Sequence, residues 1–190
     1  MNTETADSGP ASNLLSNGYL LENVYLRTTD AQRSEILALW RDEGAGLSGV
    51  DAERSSREAV FLVRRRSGEL AGVSNVALVR LKGGKRFYSF SLFLRPRDRV
   101  PFLMVKVCDA TRDFLRDFKH PLGQPEGMLN VNENHKLMRP GMRRVFARQG
   151  YQYWGQTAQG LDVWATLFNE PDAATSRPGV VELAAPGSAG

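Results

Sequence analysis

The sequence predicts an α+β protein in which helices cover both faces of a mixed, mostly antiparallel sheet. Three observations support this fold class. Three strand-like segments joined by glycine turns occupy the middle of the chain, a long amphipathic segment follows them, and strand and helix patterns then alternate. The predicted order of elements is β-α-β-β-β-α-β-α-β-β.

Composition predicts one domain between two polar tails. The chain has 190 residues, of which 42% are hydrophobic and 9% aromatic, which is enough for a sizeable core. Residues 1–18 and 170–190 are rich in Ser, Thr, Ala, Gly and Pro, and we expect both segments to be disordered. The folded domain is therefore expected over residues 19–169.

The first elements are a strand and a capped helix. Residues 19–27 are rich in β-branched, leucine and aromatic side chains, which favours a strand. Thr29 and Gln32 have the spacing of a capping box, with Asp30 as an alternative N-cap, and the helix should end near Gly44. Residues 45–57 form a connection, with a short helix expected around residues 52–57.

Three consecutive strands follow as an antiparallel meander. Strands are predicted over residues 59–65, 70–81 and 86–94. Ser67-Gly68 and Gly83-Gly84 provide the turns between them, since glycine readily adopts the backbone conformations that tight turns require.

The long helix carries the strongest periodic signal in the chain. After a loop at residues 95–101, apolar and small side chains recur with helical spacing and charged side chains occupy the other face. The apolar face comprises Val100, Leu103, Met104, Val107, Thr111, Phe114, Leu115 and Phe118. This phase predicts that Phe114 is a fully buried anchor of the core.

The last elements are a strand, a helix and a hairpin. A buried strand is predicted over residues 127–131, and a helix over residues 142–149 that Gly150 closes. Residues 151–155 and 161–168 form the terminal hairpin.

Composition also excludes several classes of protein. Cys108 is the only cysteine, which rules out an intramolecular disulfide and a cysteine-rich metal site, so no metal is expected. No apolar run reaches the length of a membrane span, and the N-terminus lacks the apolar core of a secretory signal. We therefore expect a cytoplasmic protein without a membrane partner.

The net charge of +4 comes with local clusters of arginine. Arginine presents a forked donor that suits phosphate, although a solvated surface is an equally good interpretation of any one cluster. The clusters are Arg64-Arg65-Arg66, then Arg95, Arg97 and Arg99, and finally Arg139, Arg143, Arg144 and Arg148.

Two groups of polar residues are candidate functional sites. The arginines at 95, 97 and 99 precede the long helix, where they could capture phosphate groups or simply form a solvated turn in which Asp98 pairs locally. Asn132, Glu133, Asn134 and His135 follow a strand, where ligands of open sheets often bind. Glu133 could accept an amine proton and His135 could act as acid or base, while a polar loop is the competing interpretation.

The predicted order of elements and four short motifs within it resemble those of the GNAT superfamily of acyltransferases. Leu92-Phe-Leu-Arg-Pro96 is similar to the family's fourth strand and donor loop, and Asn130-Val-Asn-Glu-Asn134 to the end of its fifth strand. The segment from Met142 to Tyr151 is similar to its fourth helix, and Gly160-Leu-Asp-Val-Trp164 to its closing strand. The resemblance covers nearly all of residues 19–169 and implies the same fold.

The resemblance implies transfer of an acyl group from acetyl-CoA or another acyl-CoA to an amine. Glu133 and His135 would be the catalytic residues, moving the amine proton. The donor would be held by Phe93, Leu94, Arg95, Arg97, Arg99, Asn132 and Asn134. The acceptor would be a small-molecule or peptide amine.

The chain departs from the family pattern in two places, the donor loop and the fourth helix. The family's donor loop has small residues, chiefly glycine, where this chain has Phe102 and Met104, and Pro101 lacks an N–H. Many members also have a tyrosine that protonates the leaving thiolate at the place of Phe146. Two other functions therefore stay open, a non-catalytic module that binds an anionic ligand and an acyltransferase that uses an acyl carrier protein as donor. Nucleic acid is not favoured as a partner, and a homodimer is left open.

Overall fold

The computed structural model describes residues 12–15, 18–47, 49–81, 83–133 and 135–169. The predicted C-terminal tail at 170–190 and most of the predicted N-terminal tail lie outside these residues. The strands are β1 Ser12–Leu14, β2 Tyr19–Asn23, β3 Ala59–Arg65, β4 Leu70–Arg80, β5 Arg86–Leu94, β6 Gly127–Val131, β7 Gln152–Gln156 and β8 Asp162–Leu167. The α-helices are α1 Asp30–Asp42, α2 Gly49–Arg57, α3 Leu103–Asp117 and α4 Pro140–Arg148.

The strands form an eight-stranded sheet in the order β1-β2-β3-β4-β5-β6-β8-β7. The pairings β1–β2, β2–β3, β3–β4, β6–β8 and β7–β8 are antiparallel. The pairing of β5 with β6 is parallel, because α3 lies between these two strands in the chain. The predicted α+β class with a mixed, mostly antiparallel sheet is confirmed.

Several predicted boundaries need correction. Residues 12–14 were predicted to be part of the disordered tail, yet they form β1 and pair with β2. The first predicted strand ends at Asn23 rather than Arg27, and α4 begins at Pro140, because proline suits the first position of a helix. Two short 3₁₀ helices, Pro96–Asp98 and His135–Met138, were not predicted.

The contacts divide the chain into two compact units, and the first comprises Met1–Asn75 and Leu92–Thr111. Its core holds the buried face of α1 and the side chains of β3 and β4 that meet it. The predicted capping box of Thr29 and Gln32 is present at the start of α1, where it stabilises the helix by about 1 kcal/mol.

Helices lie on both faces of the sheet in this unit. Val73 belongs to the core that contains α1, whereas the hydroxyl of the next residue, Ser74, lies 3.1 Å from that of Thr111 in α3. Since successive side chains of a strand point to opposite faces, α1 and α3 lie on opposite faces of β4. Ser74 also accepts a hydrogen bond from the Phe61 N–H at 3.2 Å, which satisfies the backbone at a register shift in β3.

The second unit comprises Val76–Ser91 and Arg112–Gly190. The register of β6 and β8 places Leu129 opposite Ala165 and Asn130 opposite Trp164, so the two faces of this sheet differ in character. The first pair belongs to a buried apolar cluster. On the other face, Phe146 of α4 stacks on Trp164 with ring centroids 5.4 Å apart.

Helix α3 confirms the predicted periodicity with one change of phase. Leu103, Val107, Thr111 and Leu115 are fully buried. Phe114 was predicted to be a fully buried anchor, but it is only partly buried and pairs with Phe118 at 5.4 Å on the flank of the helix. The sequence pattern could not separate these adjacent positions, because both are large and apolar. No helix among the described residues is long and apolar enough to cross a membrane.

Candidate functional site

The loop between β5 and α3 has a defined backbone. The Arg95 N–H donates to the Ala71 carbonyl at 2.8 Å, and the Val100 N–H donates to the Asp98 carbonyl at 2.8 Å. Between them the chain forms the 3₁₀ helix Pro96–Asp98. The Arg95 N–H is therefore occupied by a backbone hydrogen bond to β4.

Phe102 holds a backbone conformation that glycine normally provides. Its φ is +63°, and its side chain is 74% exposed. A side chain in this left-handed region costs roughly 1–2 kcal/mol. Phe102 is also the first of the two positions where the resembling family has a small residue. The loop thus keeps the turn of a glycine loop and places a phenyl ring outside it.

The first turn of α3 presents backbone donors. The Leu103 N–H donates to Val100 at 3.3 Å and the Lys106 N–H donates to Phe102 at 3.0 Å. The N–H groups of Met104 and Val105 have no backbone acceptor among the residues the structure describes. Free N–H groups at the start of a fifteen-residue helix favour an anionic ligand.

Two of the three loop arginines are neutralised by carboxylates. Arg95 donates to Glu43 at 2.9 Å and to the Leu70 carbonyl at 2.8 Å. Arg97 donates to Glu69. Both side chains therefore hold the loop against neighbouring segments of the first unit.

Arg99 differs from the other two arginines. Its Nε donates to the Leu94 carbonyl at 3.1 Å, and the residue is exposed. No ion pair joins it to any residue in the described part of the chain. Of the predicted phosphate-binding arginines, Arg99 is the one whose charge is uncompensated.

Asp98 is a structural anchor that the sequence did not reveal. It is 1% exposed, and its carboxylate accepts two hydrogen bonds from Arg65, at 2.8 and 2.9 Å, and one from the Tyr19 hydroxyl at 2.8 Å. Burial and the Asp98 carboxylate raise the pKa of Tyr19, and the hydrogen bonds to Asp98 raise the pKa of Arg65. The expected local pairing of Asp98 is wrong, because its partners lie on β2 and β3.

Gly72 lets β4 approach the end of β5 closely. A Cβ atom on Gly72 would lie 2.4 Å from the Phe93 carbonyl oxygen and 2.6 Å from a methyl carbon of Leu94. Phe93 and Leu94, both predicted to contact the donor, therefore lie directly against the backbone of Gly72, which has no side chain.

The polar residues after β6 belong to the second unit. Asn132 is 3% exposed and its N–H donates to the Asp162 carbonyl at 2.9 Å. Its side-chain Nδ2, like Oδ1 of Asn130 and Nε1 of Trp164, is buried without a partner. Buried polar atoms are nearly always hydrogen-bonded, so each of these three could bind water or a polar ligand.

The predicted catalytic residues follow directly. Glu133 is exposed, and its N–H donates to the Val131 carbonyl at 3.1 Å. His135 begins the 3₁₀ helix His135–Met138, and Asn134 lies outside the described residues. The structure thus brings residues 93–99 together in the first unit and places Asn132 and Glu133 in the second.

Helix α4 is fixed by a buried carboxylate. Asp162 is fully buried and accepts hydrogen bonds from Arg143 at 2.8 and 2.9 Å and from Gln156 at 3.0 Å. These bonds raise the pKa of Arg143. The anchor holds α4 so that Phe146, 4% exposed, covers Trp164 and offers no hydroxyl. Among the described residues, no three His, Cys, Asp or Glu side chains are grouped as a metal site would require.

Comparison with known proteins identifies the fold. No protein-family model and no curated protein matches the sequence. A GNAT-family acetyltransferase from Listeria monocytogenes aligns with a TM-score of 0.59 at 12% identity over 83% of this chain and 99% of its own. The GNAT domain of S. lividans PAT aligns with a TM-score of 0.59 at 11% identity, covering 86% of this chain and 99% of that domain.

A third solved structure was determined with CoA. It is a GNAT-family N-acetyltransferase from Escherichia coli, with a TM-score of 0.51 at 11% identity over 95% of this chain and 94% of its own. The chain therefore has the GNAT N-acyltransferase fold, as the sequence motifs predicted.

Proposed function

We propose that this protein is a GNAT-type N-acyltransferase that moves an acyl group from an acyl-CoA to an amine. The observation that carries the proposal is the loop before α3, where Phe102 keeps a left-handed turn and Met104 and Val105 present free N–H groups. A loop of this shape on a GNAT fold suits the pyrophosphate of CoA.

In the first unit, the donor would be held by backbone and one side chain. The amides of Met104 and Val105 bind the pyrophosphate, and Arg99 adds a charge-assisted contact. Arg95 and Arg97 act indirectly, because Glu43 and Glu69 already occupy them. The strand end at Phe93 and Leu94 lies along the acyl-bearing arm.

In the second unit, Asn132 and Glu133 would serve the chemistry. The Nδ2 of Asn132 is buried without a partner, so it would be available to donate a hydrogen bond to a polar ligand. The Glu133 carboxylate takes a proton from the acceptor amine, directly or through water, and His135 is the alternative base. The amine then forms the new C–N bond as the C–S bond breaks.

The departing thiolate needs no protein acid. A free thiol has a pKa of about 8.5, so the thiolate can leave and be protonated by water. The replacement of the usual tyrosine by Phe146 therefore slows the reaction without abolishing it.

One observation favours a second candidate, a non-catalytic module with the same fold that binds an anionic ligand. The buried Phe146 has no proton to give to a leaving thiolate. An acyltransferase that takes its acyl group from an acyl carrier protein is the remaining alternative.

Calorimetry with acetyl-CoA and a long-chain acyl-CoA tests the proposal. Arg99→Ala should weaken binding about tenfold, since one charge-assisted contact contributes about 1.5–3 kcal/mol. Arg27→Ala is the matched control, because Arg27 is also exposed but donates to the Asn23 carbonyl at the end of β2. No heat with either donor at high micromolar concentration would exclude free acyl-CoA as the substrate.

A further inference from the structure

The outer face of α4 carries positive charge that the fold does not use. Arg144 and Arg148 are exposed and lie one helical turn apart on the side opposite Phe146. Neither forms an ion pair with any residue that the structure describes, whereas Arg143 on the flank is bound to Asp162. The exposed Arg139 precedes the helix as its N-cap.

This arrangement works against the stability of the helix. The like charges of Arg144 and Arg148 at positions i and i+4 repel each other, and Arg139 at the N-cap opposes the helix dipole, although Arg148 in the last turn complements it. The first turn contains no acidic residue, and none occurs anywhere in α4. In each of the other two arginine clusters two of the three arginines pair with carboxylates, namely Arg64 and Arg65 in one and Arg95 and Arg97 in the other.

Gly141 adds an independent observation on the same face. Its φ is not in the left-handed region, and a Cβ atom there would meet nothing within 4 Å. Neither backbone conformation nor internal packing therefore requires glycine, which is a poor helix former. Together with the exposed Pro140 and Ala147, Gly141 leaves the backbone of α4 accessible to a partner on the face that carries Arg144 and Arg148.

We propose that this face, comprising Pro140, Gly141, Arg144, Ala147 and Arg148, docks an acidic segment of a protein partner. Two carboxylates one helical turn apart on the partner would pair with Arg144 and Arg148, while the small side chains let the partner's backbone lie against α4. A protein fits better than a nucleic acid, because the face offers few cations and no free aromatic ring for base stacking. The nearest exposed aromatic along the chain, Tyr153, already lies under the Arg143 guanidinium at 5.5 Å. This inference is independent of the acyltransferase proposal.

Fluorescence anisotropy with the full-length chain tests the docking face. The probe is a labelled helical peptide of about 20 residues with glutamates at i and i+4 spacing, and a single-stranded oligonucleotide of equal charge is the competitor class. Arg144→Glu with Arg148→Glu should weaken peptide binding at least about tenfold. The matched control, Arg41→Glu with Arg54→Glu, makes the same charge change on α1 and α2 and should change binding less than about twofold.

A neutral substitution separates docking from general charge attraction. Gly141→Gln should weaken peptide binding several-fold while the melting temperature stays equal or rises, because glutamine is the better helix former. Unchanged binding by this variant would overturn the proposal, as would equal losses in the control pair. No binding of the peptide by the parent chain, or tighter binding of the oligonucleotide through Arg144 and Arg148, would also overturn it.

Discussion

Phe102 stores backbone strain at the entrance to α3, and this strain can be released by one substitution. Phe102→Gly should stabilise the protein by roughly 0.5–1 kcal/mol, because relief of the left-handed strain exceeds the added entropy of the unfolded chain. It should also tighten acyl-CoA binding, because glycine at this position leaves no side chain in the loop turn and so allows closer approach of a ligand. Urea denaturation and calorimetry measure the two effects.

Phe102→Ala is the control for this prediction. Alanine removes the exposed ring but keeps a Cβ atom at the strained position, so stability should change by less than about 0.5 kcal/mol. If glycine destabilised the protein as much as or more than alanine, the left-handed turn would not be the origin of the effect.

His120 makes stability depend on pH. Its Nδ1 accepts the Leu122 N–H at 3.1 Å, and its ring packs against Tyr88 at 5.9 Å. Burial, followed by the charge of Arg86, lowers the pKa of His120 from 6.5. The folded protein therefore favours neutral imidazole, and this contribution is complete above pH 6.5 and lost as pH falls toward the lowered value.

Melting temperatures between pH 7.5 and 5 check this effect. The parent chain should lose more stability on acidification than His120→Gln, which cannot titrate but keeps an acceptor. Parallel curves for the two proteins would mean that other groups control the acid response.

At the scale of elements, helix α3 buries two neighbouring apolar side chains to different extents. Leu115 is fully buried and Phe114 only partly so. Leu115→Ala should destabilise the protein by about 2–5 kcal/mol, and Phe114→Ala by about 1–2 kcal/mol despite its larger side chain. Guanidinium denaturation of both variants gives the comparison, and the reverse ranking would contradict the helix phase described above.

At the scale of the whole molecule, the prediction concerns the contribution of strand β1 to stability. Ser12–Leu14 pairs with β2, so a chain of residues 12–169 should melt at the temperature of the full chain, while a chain of residues 19–169 should melt lower. The second truncation exposes the edge of β2. Calorimetry measures the melting temperatures of the two shortened chains. Equal values would show that β1 contributes nothing to the stability of the fold.

The sequence predicts most of the fold because its signals are local. The Thr29 capping box, the turn glycines and the spacing of Leu103, Val107 and Leu115 each depend on residues within one or two turns of each other. Strand β1 was missed because a three-residue edge strand contains too few positions to show alternation.

The site was predicted less completely because its decisive contacts are distant in sequence. The loop arginines were found as a charge cluster, but their partners, such as Glu43 for Arg95, lie up to 52 residues away. Likewise, no local sequence pattern predicts that Asp98 accepts a hydrogen bond from Tyr19, 79 residues away, or that Phe102 has a positive φ. Such features depend on tertiary structure and not on pattern.

Gly72 has a consequence for the sequences that this fold can tolerate. A methyl group there would collide with the Phe93 carbonyl and Leu94. In a random library selected only for folding, every amino acid other than glycine should therefore be lost at position 72. Such a library would accept many residues at Gly141, which has open space around it and a φ outside the left-handed region. Position 72 would thus stay invariant even in a descendant that had lost all activity, so its invariance would report on strand spacing and not on catalysis.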